Sequence, residues 1–422
     1  MADVRAFPAL RYDPARVDIA SVLAPPYDVI SPSRQHELYE RSPYNVVRVE
    51  YGEQRPGDTD ADNRYTRAAR DLSSWLADGV LRRDDPPAMY AYTLEFGHEG
   101  SRYIREHLFA VVRLEAWDAG VVLPHEHTLA GPKSDRLELL RATRTQVSPV
   151  FALYRGDRMQ PETAETLFEA DADDSRHRLA RIADPDAVAA LAGAFARRPL
   201  YIADGHHRYE TALAYRDECR AHAPRWTGDE PENFVLMALT AASDPGLLVL
   251  PTHRVVHVPP PSDALARLAP MFDAHEVSVA DAGEALRHEP PDATSFATIG
   301  LSPGRAHLLR LRDRTAAERA MPAGQPDAWR RLDVSVLHHA ILGPLFGIDD
   351  ATLVRGGAVS YTQDASEATA AVLRADAPCA FLLRATPVEQ VLAVSDAGGR
   401  MPQKSTYFFP KLPTGLVMYP FD

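Results

Sequence analysis

Cysteine is nearly absent: Cys219 and Cys379 are the only two in 422 residues. That is too few for a disulfide framework or a cysteine-rich zinc site, and a reducing cytoplasm is the expected setting. No run approaches the ~20 apolar residues that cross a bilayer, and the opening stretch, Met1 to Pro8, lacks the apolar centre of a secretion signal, so no membrane partner is expected. Positive charge is in deficit. The 59 acidic and 46 basic residues give a formal net charge of -13 at pH 7, which repels a phosphate backbone at long range and disfavours nucleic acid as a partner. A local basic pocket for a small phosphorylated ligand survives that argument, because nearby side chains and amides set short-range contacts. Glycine is scarcer than proline, 23 against 35, and prolines in Ala24-Pro25-Pro26-Tyr27 and Val258-Pro259-Pro260-Pro261 imply stiff loops. Common signatures are missing too: no G-x-x-x-x-G-K-[ST] loop, no G-x-G-x-x-G, no H-E-x-x-H and no G-x-S-x-G.

What remains is the composition of a soluble globular protein, 45% hydrophobic and 25% charged, long enough for two or three cores. No repeat of 20 to 50 residues is visible, and helices alternate with strands, so a mixed α/β architecture is expected. Three regions are expected: 1–120, mixed α/β; 121–258, a core; and 259–422, a further mixed α/β region after the triple proline. Tyr65, Ala68, Ala69, Leu72, Trp75 and Leu76 recur at helical spacing before a stop at Gly79. Met89 to Phe96 and Tyr103 to Leu114 read as a hairpin around the four residues Gly97-His98-Glu99-Gly100. Pro149 to Tyr154 reads as a strand. A polar stretch at Asp171 to Asp174 and alanine-rich helical sequence up to Arg198 follow it. Further on, the pattern predicts a helix near Leu332 to Leu345 and strands at Ala380 to Leu383 and Gln390 to Val394.

Chemistry concentrates in three strings. The first is Asp204-Gly205-His206-His207-Arg208, where the strand Leu200 to Ala203 runs into a helix. A helix start has unpaired N–H groups and partial positive charge, glycine admits a ligand to the backbone, and Arg208 can grip two phosphate oxygens, which together suit an anion. His206 and His207 diverge by roughly 100° on a helix and so face different surroundings. The bland alternative is that Asp204 caps the helix and the histidines bond within the fold. The second string is His125-Glu126-His127-Thr128 with Gly131-Pro132-Lys133-Ser134-Asp135-Arg136. Glu126 has the chemistry of a base, and Lys133 and Arg136 that of phosphate ligands, against the plain reading of a solvated loop before a helix from Asp135 to Arg144. The third, Met401-Pro402-Gln403-Lys404-Ser405-Thr406 followed by Tyr407 to Leu412, offers Lys404, Ser405, Thr406 and Lys411 to a phosphate, although lysines also guard an ordinary edge strand. Ala24 to Val29 reads as a stiff turn, and His338-His339 as a half-buried helical pair.

These strings in this order, together with Ser42-Pro43-Tyr44-Asn45, resemble the bacterial and archaeal family called domain of unknown function 1015 over nearly the whole chain. More distantly, the Asp-Gly-His-His-Arg turn is similar to the phosphate-binding turn of the ParB/sulfiredoxin superfamily, which includes free-serine kinases, CTP-dependent ParB switches and sulfiredoxin. Sulfiredoxin's turn uses a cysteine where His206 or His207 stands here, which removes that chemistry. The resemblance implies a ParB/sulfiredoxin-like nucleotide-binding core elaborated by mixed α/β regions. It also implies a small-molecule kinase moving a phosphoryl group from ATP or ADP, with Mg²⁺, to free serine or a similar hydroxy amino acid. Glu126 is then the base and Asp204 holds Mg²⁺ or orients the acceptor. The catalytic set is Glu126, Asp204 and His206, and Gly205, His207, Arg208, Lys133, Arg136, Lys404, Ser405 and Thr406 bind the nucleotide. Two rivals stand beside it: a nucleotide-binding regulatory protein without turnover, and a metal-dependent phosphoester hydrolase using His125, Glu126, His206 and Asp204. The partners considered are the nucleotide, the small hydroxyl substrate and a second copy of the chain in a homo-oligomer.

Overall fold

A computed structural model of the chain describes residues 1–128, 130–159 and 164–421, with the side chains of 130–132 excepted. The Gly131-Pro132 part of the second string falls outside the described side chains. The chain is mixed α/β and divides into two compact units, Met1–Pro124 with Thr128–Leu248 and Pro410–Asp422, and His125–His127 with Val249–Phe409.

The first unit is organised by a nine-stranded sheet. Its strands are β1 Val4–Arg5, β2 Met89–His98, β3 Ser101–Arg113, β4 Val122–Leu123, β5 Val150–Tyr154, β6 Glu165–Ala172, β7 Ser175–Ile182, β8 Leu200–Asp204 and β9 Phe234–Ala241. They lie in the order β4-β8-β5-β9-β3-β2-β7-β6, with β1 beside β3. The β4/β8 and β5/β9 pairings are parallel, and the other pairings are antiparallel. Strands β5, β8 and β9 are sequences of large apolar residues without alternation, and they are buried along their length, as strands covered on both faces must be. Met89, Val150, Ala152, Ile202, Tyr209, Met237 and Leu239 share one core there.

Three sequence expectations are corrected. The β2/β3 hairpin turns in two residues, not four: His98 pairs with Ser101, while Glu99 and Gly100 both take positive φ, 47° and 78°. That is the pattern of a turn matched to strand twist. Between Tyr154 and the alanine-rich helix, the chain makes a second hairpin, β6/β7, whose turn Asp173-Asp174 again has positive φ. β6 lies at the end of the sheet and is largely exposed, so its sequence is too polar to show strand alternation. Val388–Asp396 is a helix, not a strand. Pro387 stands at its N-cap and Val391, Leu392, Val394 and Ser395 are buried on it, so a run of β-prone residues yields to tertiary burial.

The helices α1 Arg64–Ala77, α2 Ala130–Thr143, α3 Pro185–Phe195 and α4 His206–His222 belong to this unit. The α1 helix read from sequence is present, with Ala68, Leu72 and Trp75 buried, whereas Leu76, counted on the same face, is 40% exposed; Asn63 with Thr66 forms a reciprocal cap. The second unit carries a six-stranded antiparallel sheet of β10 His253–Val256, β11 Phe272–Val277, β12 Ser295–Ile299, β13 Ala306–Leu311, β14 Val359–Thr362 and β15 Cys379–Leu382. Its order is β11-β13-β12-β15-β10-β14. Among the described residues no helix is long and apolar enough to cross a membrane.

Candidate functional site

Asp204 is the last residue of β8, placed just past a register shift against β5 that begins after Ile202. Gly205 follows with φ +93° and serves as N-cap of the 17-residue helix α4, with no side-chain hydrogen bond capping it. The strand running into a helix that the sequence reading expects is present, and no side chain caps the helix start. The glycine has a second reason. A Cβ at position 205 would stand 2.9 Å from Arg208 Nε and 3.1 Å from its Cζ, so the guanidinium lies over the glycine. Gly205→Ala is expected to destabilise the first unit by about 1–3 kcal/mol, combining positive-φ strain with this clash. Amide exchange in β8 and α4 should show correspondingly lower protection.

Arg208 does not project freely. Its Nη2 donates to Asp204 Oδ2 at 2.5 Å, its Nη1 donates to the Pro149 carbonyl, and its side chain is 12% exposed. Lys411, from the third string, donates to the other carboxylate oxygen of Asp204 and lies 3.9 Å from Asp28 Oδ2. Burial alone would raise the Asp204 carboxyl, but Lys411 and then Arg208 outweigh it and hold the group well below the usual carboxylate range. Asp204 is thus an anion shared by two cations. The assignment of Mg²⁺ to Asp204 does not fit this arrangement, because both carboxylate oxygens already accept from cations and Mg²⁺ needs them as ligands.

Beneath the turn lies a second group of charges. Glu50 is 1% exposed and Arg136 is 7% exposed. Arg136 donates to the Glu50 carbonyl at 2.7 Å and stands 3.6 Å from its carboxylate, and it also donates twice to Asp135. Its guanidinium sits 4.2 Å from the centre of the Tyr27 ring. The Tyr27 amide and the Ser148 hydroxyl donate to the Glu50 carboxylate, while Asp135 also accepts from Arg64 and Tyr65. Burial raises the Glu50 carboxyl above its ordinary value despite Arg136 and Arg208. Glu50, Arg136, Ser148 and Arg208 border a cavity of about 50 Å³. Arg136, expected from sequence to hold phosphate, is instead buried among carboxylates. Lys133 is bonded to Glu210 on α4 at 2.8 Å.

His206 is buried and His207 half-buried, as the angular argument required for neighbours on a helix. Tyr209 is fully buried. Its hydroxyl bonds both the N–H and the carbonyl of Glu115, and its ring stacks on Trp117 at 4.6 Å.

In the second unit, His125, Glu126, Lys404, Ser405 and Thr406 come together. Glu126 bridges to Met401 as parallel neighbours, Met401 N–H donates to the His125 carbonyl at 2.6 Å, and Lys404 N–H donates to Glu126 Oε1 at 3.0 Å. Lys404 is exposed and takes φ +57°. His125 Nε2 is 3.0 Å from the Thr406 hydroxyl, and the buried Ser405 donates to the Pro402 carbonyl. His125 is buried and His127 exposed. Of the hydrolase set, Asp204 and His206 belong to the first unit and His125 and Glu126 to the second.

Sequence reasoning gave no functional role to Tyr27, Asp28, Glu50 and Ser148, and it read Lys411 as a phosphate ligand or an edge guard, not as a partner of Asp204. The proline turn at Ala24 to Val29 carried a signal in its polar end, Tyr27-Asp28. Glu50 carried only the weak one of a lone carboxylate in an apolar run, Val46-Val47-Arg48-Val49-Glu50.

The fold and turn define a mixed α/β protein in which a helix start is flanked by a half-buried Arg–Asp–Lys triad. The chain belongs to the family described as protein of unknown function (DUF1015), whose model matches residues 4–335. No curated protein matches the chain. Among solved structures it is similar to a conserved hypothetical protein from Pyrococcus furiosus, at 16% identity and TM-score 0.36, covering 73% of this chain and 95% of that one. It is similar to a free serine kinase in complex with AMP at 13% identity and TM-score 0.36, and to a mutant free serine kinase in complex with ADP at 12% and 0.37. Each of these covers 73% of this chain and 92% of the other.

Proposed function

We propose that this protein is a nucleotide-dependent small-molecule kinase that moves a phosphoryl group from ATP or ADP to the hydroxyl of free serine or a similar hydroxy amino acid. The observation that supports the reading is the start of α4: a left-handed glycine with no side-chain cap, after a strand, beside two cations that share one carboxylate. Amide groups at such a start suit phosphate oxygens. Gly205 and His207 then receive the phosphates, and Arg208 and Lys411, held by Asp204, supply positive charge without moving. Mg²⁺ arrives on the nucleotide. His206, being buried, shapes the turn. Glu126 takes the proton of the acceptor hydroxyl, and Lys404, Ser405 and Thr406 steady the loop that carries it.

The test is phosphorus NMR of the purified protein with Mg²⁺, ATP or ADP and a panel of hydroxy amino acids. A phosphomonoester product is expected. Glu126→Gln should abolish product while leaving nucleotide affinity by calorimetry unchanged, and His207→Ala should weaken that affinity by about tenfold, the worth of one charge-assisted contact. No product with any acceptor, and no heat with any nucleotide, would sink the reading. One observation favours a second reading: both Nη atoms of Arg208 are already engaged, which suits a regulatory protein that holds nucleotide without transferring phosphate. Tight binding with no product selects it.

A further inference from the structure

Three ligating side chains of the second unit that the proposed function does not use, two of them the His338-His339 pair, lie within 4.8 Å of one another. Asp333–Val336, Leu337–Leu342 and Gly343–Phe346 form one continuous helical segment, and its middle stretch has π-type hydrogen bonding. A π turn holds more residues than an α turn, so consecutive side chains diverge by less than the roughly 100° of an α-helix, and such insertions often mark functional sites. His338 and His339 lie in that stretch with ring centres 4.5 Å apart and planes at 81°. His338 Nε2 is 2.7 Å from Oδ1 of Asp350, the first residue of the helix Asp350–Arg355. One ligand atom from each of the three lies within 4.8 Å of the others, and among the described residues this is the group of histidine, cysteine and acidic side chains that does so.

The surroundings suit an ion. The His338 ring is anchored in the interior, His339 rests against Trp329 at 5.2 Å, and the Asp350 side chain is 80% exposed. Two fixed imidazoles thus face one carboxylate that is free to swing. Tetrahedral bonds of about 2.0–2.2 Å separate ligand atoms by more than the His338–Asp350 contact, so an ion would open that hydrogen bond. The exposed carboxylate can supply the movement, and the solvent side leaves a further coordination position for water. Two imidazoles and one carboxylate match zinc and other first-row divalent ions, and they do not match the all-oxygen preference of Mg²⁺ or Ca²⁺.

We propose that His338, His339 and Asp350 form a binding site for a divalent transition-metal ion, zinc foremost, with one position open to solvent. This site is separate from the phosphate turn and stands whether or not the kinase reading does. The test uses the full chain, stripped with a chelator and dialysed, then titrated with Zn²⁺ by calorimetry and with Co²⁺ by visible absorption. One equivalent should bind, with the cobalt spectrum of a low-coordinate nitrogen–oxygen site. His339→Ala and Asp350→Asn should each weaken binding by tenfold or more, and cobalt absorption should fall with them. Asp350 is exposed, so its variant keeps the fold and the measurement stays readable. Zinc bound equally by the wild type and both variants, or no zinc bound by the wild type, would overturn the proposal.

Discussion

Asp204→Asn is expected to lower the stability of the first unit by about 3–5 kcal/mol, the usual result of removing one member of a buried ion pair. The reason is what stays behind. Arg208 and Lys411 are 12% and 13% exposed and both lean on this carboxylate. An amide leaves two cations largely out of water, with the Glu50 carboxylate acting on Arg208 and Asp28 3.9 Å from Lys411 as weaker compensation. Because the chain holds two units, a single unfolding midpoint does not isolate the effect. Amide exchange in β8 and α4 does, and protection there should fall while the six-stranded sheet of the second unit is unaffected. The pH dependence has a definite sign. A carboxyl depressed by folding contributes stability that is complete above its unfolded value, near 3.8, and is lost as pH falls through the depressed one. The cost of Asp204→Asn should therefore be flat between pH 5 and 8. A cost below about 1 kcal/mol, the range of an exposed pair, would mean that the triad is solvated and that Arg208 is available to a ligand without rearrangement.

That result bears on function as well as folding. A guanidinium already bonded to a carboxylate and a carbonyl is rigid, so on the proposed function it would meet a phosphate with little further loss of side-chain freedom. It is also partly neutralised. The geometry trades strength of attraction for fixed position, and nucleotide binding in Asp204→Asn separates the two: tighter binding in the variant means that charge was limiting, and weaker binding means that position was.

What the sequence disclosed, and what it hid, follows from how far apart the partners lie. The Asp204–Arg208 turn was legible because five adjacent residues carry the signal of a strand end, a helix start and a glycine. The mixed α/β class was legible from apolar runs such as Leu200 to Ala203. Lys411 was not, since its partner is 207 positions away and a lysine near an aromatic strand reads equally well as an exposed edge guard. Arg136 was legible as a chemically active residue but not as a buried one. A guanidinium beside Asp135 looks like a surface pair until Glu50 and Tyr27 are brought onto it. The β6/β7 hairpin was hidden because an edge strand with one solvated face carries charges where a central strand carries valines. Val388–Asp396 was hidden for the opposite reason: its β-prone residues are helical because burial of one face decides.

Arg136→Met is expected to cost about 3–5 kcal/mol at pH 8, and less as the pH falls, which is the reverse of the Asp204 behaviour. Glu50 is the cause. With Arg136 present, burial already holds its carboxyl above 4.5, and Arg136 is the first of the groups that restrain it. Without Arg136 the group rises further. A carboxyl raised by folding penalises the native state while it is ionised, and the penalty is relieved as pH drops through the raised value. Asp135 does not follow, because Arg64 and Tyr65 still bond it. The variant should therefore gain stability relative to the parent between pH 8 and 5, read again from exchange in the first unit. Glu50→Gln on the Arg136→Met background tests the cause directly. The glutamine oxygen can still accept from Ser148 and the Tyr27 amide, no charge is left without a partner, and much of the loss should return at pH 8. If the double variant is as unstable as Arg136→Met alone, the missing quantity is instead the packing of the guanidinium against the Tyr27 ring at 4.2 Å, about 0.5–2 kcal/mol, together with the lost hydrogen bonds to Asp135 and the Glu50 carbonyl.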